Sequence, residues 1–218
     1  MLQHFQTLLS ELYGIEQHLD VLDFLVTDQR FLAAVEEPAN ARGAEEKLLI
    51  HQGDGELGLS LYLAPELLER LKDCDPRNRL GRRNFADFCT ALEGISHFNY
   101  VVWNASADKA VTLHELEMQA EIDKYVGAMA LLAGQPDSVL HDSLYDRLFA
   151  DPRFAADLSP EEQERYRSAS AFAAKFCHSL ARRFPHGLSR PGMLGELRDF
   201  YRLSQPDKVS HIRSATFA

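Results

Sequence analysis

At 218 residues the chain is long enough for one substantial core or two small ones. Its 45% hydrophobic and 26% charged content is that of a globular protein, not a disordered or fibrous one. The formal charge of −10 argues against whole-surface attraction to nucleic acid or acidic lipid. No apolar run approaches the ~18 residues of a membrane span, and the start, MLQHFQTLLSELYG, reads as folded helix rather than a secretory leader. Three cysteines (Cys74, Cys89, Cys177) with no CxxC pair argue against a disulfide framework and a thiolate zinc site, and for a reducing cytoplasm.

Leu2, Phe5, Leu9 and Leu12 recur at three and four, so residues 2–13 are predicted helical. Leu19, Leu22 and Val26 continue helically after a break near Gly14, and Phe31 to Val35 adds a short piece. Pro38 to Gly43 is loop. Glu46–Gln52 and Glu56–Leu63 read as two strands of a hairpin around Gly53-Asp54-Gly55. Leu57, Leu59, Leu61 and Leu63 alternate, which puts them on one face, and the helix Pro65–Lys72 is expected to cover it. The stretch Cys74–Asn84, CDPRNRLGRRN, is read as a connector carrying four arginines.

Five helices are expected after it. The first runs from Asn84 to Asn104. The second starts at Thr112, where Thr-Leu-His-Glu makes a capping box, and reaches Leu132. A short helix spans about Ser138 to Ala150. A long one begins at Ser159-Pro160-Glu161-Glu162, and its Tyr166, Ala169, Ala173, Phe176 and Leu180 form a packing seam. A helix from Pro191 to Leu203 and a fraying tail close the chain. The fold class expected is mostly α: a helical bundle with one N-terminal β-hairpin, divided as 1–75 and 84–218 or forming one continuous domain.

Chemistry concentrates on the two central helices. Cys89, Glu93, His97, Tyr100 and Asn104 share a stripe of the first, and His114, Glu117 and Glu121 share one of the second. The seven-residue link implies antiparallel neighbours, with His97 level with about residue 119 and Glu93 with about residue 123. Two readings follow. In one, Glu93, His97, Glu117 and Glu121 hold a divalent metal, with His114 and Tyr100 behind them; iron, manganese or zinc suits three carboxylates and an imidazole. The chain has Glu-x-x-x-His once and no Glu-x-x-His, so the usual carboxylate-bundle pattern is not met. In the other, His97 donates to Glu93 or Glu121, Lys124 neutralises Glu121, and the cluster only fixes helix register.

Charge is uneven. From Lys175 onward eight basic residues face three acids, a local excess of five that leaves −15 for the remainder. This basic part either docks on the acidic body or holds an anionic partner. Arg77, Arg79, Arg82 and Arg83 either grip an acidic or phosphorylated partner or pair with the protein's own acids. No nucleophile elbow or phosphate-binding glycine loop is present. His178 is expected to be exposed, and His186 lies in a helix-ending segment. The functions expected are therefore a non-enzymatic accessory or partner-binding protein, or a metal-binding or metal-dependent enzyme. An uncovered edge of the hairpin would favour a homodimer.

Overall fold

A computed structural model describes residues 1–36, 43–53, 56–135, 137–151, 158–185, 187–189 and 191–215. The expectations for Pro38–Arg42, Asp54-Gly55 and His186 fall outside the described residues. The fold is mostly helical, with a small mixed sheet of three strands.

Helix α1 (Leu2–Tyr13) buries Leu2, Phe5, Leu9 and Leu12, the stripe its spacing predicts. It stops at Gly14, whose φ of 58° is the left-handed conformation glycine adopts without strain. The helical continuation expected at Leu19–Val26 is not formed. Asp20 caps a single 3₁₀ turn, Val21–Phe24, and strand β1 (Leu25–Val26) then pairs parallel with the third strand. Helix α2 (Gln29–Val35) follows, capped by Asp28. Strands β2 (Glu46–Gly53) and β3 (Glu56–Leu63) pair antiparallel along their whole length, giving the order β1-β3-β2.

Leu61 and Leu63 are buried, but Leu57 is 40% exposed, so only the end of the leucine face nearer Leu63 is covered. Its main cover is not helix α3 (Pro65–Asp73), as expected, but α4 (Phe85–Ser106). The reason is Gly94. A Cβ there would lie 2.8 Å from Leu61 Cδ1 and 2.8 Å from Glu46 Cγ, so only a bare backbone lets the sheet come this close to the helix. The connector is tied down by Asn84, which donates to the carbonyls of Cys74 and Arg79 and accepts from Gly81 N–H.

Helix α5 (Leu113–Ala133) returns antiparallel to α4. Thr112 caps it, yet Glu115 does not complete the box, because its carboxylate takes the Tyr100 hydroxyl at 2.5 Å instead. The expected helix at 138–150 is a 3₁₀ turn, His141–Ser143, followed by α6 (Leu144–Phe149). Helix α7 (Pro160–Arg183) has the full Ser159–Glu162 capping box and packs along α5. Helix α8 (Pro191–Arg202) packs on α1. The expected fraying tail is instead helix α9 (Gln205–Ala215). One apolar core runs from Leu2 to Ile212 through all of these elements. No helix of the described residues is long and apolar enough to cross a membrane.

Candidate metal centre

Glu93 and His97 lie one turn apart on α4, and α5 faces them at the register the short link implies. Ser96 Oγ donates to Asp123 at 2.6 Å, His97 Nε2 lies 3.8 Å from Glu117 Oε2, and Lys124 Nζ lies 3.2 Å from Glu93 Oε2. Ligand atoms of Glu93, His97 and Glu117 all fall within 4.8 Å of one another. Of the four residues read as metal ligands, these three converge.

Glu121 does not join them. Its Oε1 accepts from Lys124 at 2.5 Å, and Lys124 thereby clamps Glu121 and Glu93 together. The second pair expected behind the ligands is also elsewhere. His114 contacts Ser168 at 3.1 Å and Gln205 at 2.9 Å and packs edge-on to Phe172, because its place in the first turn of α5 turns it toward α7 and α9. Tyr100 lies two turns beyond Glu93 and meets Glu115, on the far side of α5 from Glu117.

Two residues outside the expected set complete the cluster. Strand β2 brings Glu46, whose Oε1 is 3.8 Å from His97 Nδ1. Helix α7 brings Tyr166, whose phenol is pushed well above its usual range by burial and by the neighbouring Glu117 and Glu93 carboxylates. A glycine inside an otherwise apolar helix, Gly94, was the one signal in the sequence that another backbone approaches at this level.

The His97 ring therefore stands between two carboxylates. A neutral imidazole has one N–H and one lone pair. With a carboxylate at each nitrogen, one of them faces a lone pair unless a cation or a second proton lies between. Neither gap is a hydrogen bond: His97 Nε2 and Glu46 Oε1 are both buried with no partner. Burial acts to lower the imidazole, but Glu46, Glu117 and Glu93 outweigh it and raise it to about 9. Burial pushes Glu117 up to about 7 and also raises Glu46. Burial acts to raise Glu93 as well, yet Lys124 and His97 pull it below the ordinary carboxylate range. Four carboxylates (Glu46, Glu93, Glu117, Glu121) share one ammonium and one imidazole, so when all four are ionised negative charge exceeds positive even with His97 protonated.

A cavity of about 850 Å³ opens beside the cluster. Glu46, Glu93, Lys124 and Tyr166 line it, with Cys89 and Leu148 among the other walls. Burial pushes the Cys89 thiol up to about 12, so it supplies no thiolate near neutral pH.

No family model, curated protein or solved structure matches this chain.

The remaining sites read from the sequence divide. Arg77 is held by Asp75 at 2.5 Å. Arg79, Arg82 and Arg83 are exposed, with no ion pair among the described residues. Much of the basic C-terminal part docks on the body. Arg198 and Arg202 donate to the carbonyls of Glu11, Leu12, Tyr13 and Gly14, where the end of α1 leaves acceptors unpaired. Lys208 is wholly buried.

Proposed function

We propose that the protein binds one divalent transition metal through Glu93, His97 and Glu117. The observation that carries this is the buried His97 Nε2, without a hydrogen-bond partner and 3.8 Å from Glu117 Oε2. Two atoms each about 2.1 Å from a shared ion in tetrahedral geometry lie roughly 3.4 Å apart. The His97–Glu117 pair thus needs only a small contraction to share an ion, with Glu93 closing in from within 4.8 Å, and an ion favours the ionised carboxylates over a proton. Two carboxylate oxygens and one imidazole suit manganese, iron or zinc. Glu93 is the one of the three that lines the cavity, and three protein ligands leave a coordination position for water or a small molecule on that side, the pattern of a working site rather than a closed structural one. There the ion would act as a Lewis acid or lower the pKa of bound water. Free cysteines and the cation set fit a cytoplasmic protein.

Elemental analysis of protein purified without a histidine tag tests this. Near-stoichiometric manganese, iron or zinc, lost on His97→Ala, is expected. Clearly substoichiometric metal, with no rise in melting temperature when each ion is added, would overturn it and leave a proton as the occupant of the gap.

A second reading, contact with an acidic or phosphorylated partner, rests on the exposed Arg79, Arg82 and Arg83, which have no ion pair among the described residues. Charge reversal at these three positions would abolish a salt-sensitive association; an unchanged association profile would remove this reading.

A further inference from the structure

The two unsatisfied atoms of the cluster sit at opposite ends of one imidazole. His97 Nε2 faces Glu117 from α5, and Nδ1 faces Glu46 from β2, each across 3.8 Å. Glu46 Oε1 is buried and accepts from nothing else. Gly94 makes the approach feasible, since a Cβ there would strike Glu46 Cγ at 2.8 Å and Oε1 at 2.9 Å. Metal-bound histidines generally donate their second N–H to a carboxylate or carbonyl, which fixes the tautomer and strengthens the ligand.

We propose that Glu46 is a positioning residue for the metal centre: it accepts the Nδ1 proton of His97, leaves the Nε2 lone pair for the ion, and so ties metal uptake to the docking of the sheet on α4. The inference rests on the metal reading of Glu93, His97 and Glu117. It gives the small sheet a task. Strand β2 begins at Glu46, so whatever draws His97 toward an ion also draws the start of that strand onto the helix. Reciprocally, a sheet that lifts from α4 frees the ring to rotate and weakens the site.

Cobalt titration of the full chain tests this, because its visible bands report the ligand set. Glu46→Gln is close to isosteric and should bind cobalt about 10- to 100-fold more weakly with the wild-type bands retained. Gly94→Ala displaces Glu46 without altering its charge, and should show the same loss if the first variant folds poorly. Amide exchange along β2 in wild type should slow on adding cobalt and stay unchanged in Glu46→Gln. Wild type that binds no cobalt overturns the metal reading, and this inference with it. Wild type that binds while both variants bind as tightly overturns only the role of Glu46. Altered bands in Glu46→Gln would make Glu46 a ligand and equally overturn its positioning role.

Discussion

Lys208 Nζ donates to the Tyr100 hydroxyl at 2.7 Å, and no part of Lys208 reaches solvent. The same ammonium donates to Gln119 Oε1 at 2.9 Å and lies 3.9 Å from Glu115. Gln119 passes the chain to Asp123, which also accepts from Ser96 and from Tyr13. Five helices (α1, α4, α5, α8 through the Tyr201 ring, and α9) thus close around one buried polar network.

This network makes stability depend on pH. Burial lowers Lys208 to about 7, although Glu115 and Asp123 work against the fall. Between about 7 and 10.5 the unfolded chain binds the extra proton, so stability rises with pH across that window. The slope is at most about 1.4 kcal/mol per pH unit for one group. His97, raised to about 9, contributes a slope of the opposite sign to wild type and variant alike, so urea denaturation at pH 7, 8 and 9 should show the Lys208 slope as the difference between wild type and Lys208→Met. Parallel profiles would mean that Lys208 stays charged inside the fold.

Lys124 is the counter-charge of the cavity side. Its removal in Lys124→Met strands the Glu93 and Glu121 carboxylates, at a cost on the order of 3 kcal/mol. The double variant Lys124→Met/Glu121→Gln should recover a large part of that loss. Chemical denaturation of the three proteins measures it, and equal stability of the single and double variants would contradict the pairing.

Metal should appear as stability. At 100 times its dissociation constant an ion that binds only the folded state adds about 2.7 kcal/mol. Melting curves of wild type with manganese or zinc should shift upward, and those of Glu117→Gln should not. A shift that persists in the variant would place the ion elsewhere.

Gly94→Ala should destabilise the metal-free protein by about 1–2 kcal/mol. The gain in helix propensity, about 1 kcal/mol, is outweighed by overpacking against Leu61 and Glu46. A more stable variant would show that the sheet can retreat without loss.

Much of this was legible in the sequence. Loop length set the α4–α5 register, and the Ser159-Pro160-Glu161-Glu162 start of α7 needed no tertiary information. Glu93, His97 and Glu117 share stripes because helix pitch is local. Other parts depended on contacts that pitch does not encode. Glu46 meets His97 only because β2 docks on α4 and not on α3. Tyr166 sits on a stripe that reads as plain packing, yet its phenol neighbours Glu117. Helix α9 escaped notice because its inward positions are Lys208 and Ile212, so it has almost no apolar stripe. His114 and Glu117 share a side of α5, but one turn along the axis was enough to give His114 different neighbours.

Helix α5 is polar on two sides. Glu121 and Lys124 face the cavity and Glu117 faces His97 beside it, while Glu115, Gln119 and Asp123, roughly half a turn around, face the sealed network with Lys208. A roll of this rod about its own axis would break bonds on both sides in the same movement, with nothing regained. The molecule's central strut is therefore torsionally locked, and the groups pointing into the cavity sit on the part of the fold least free to turn.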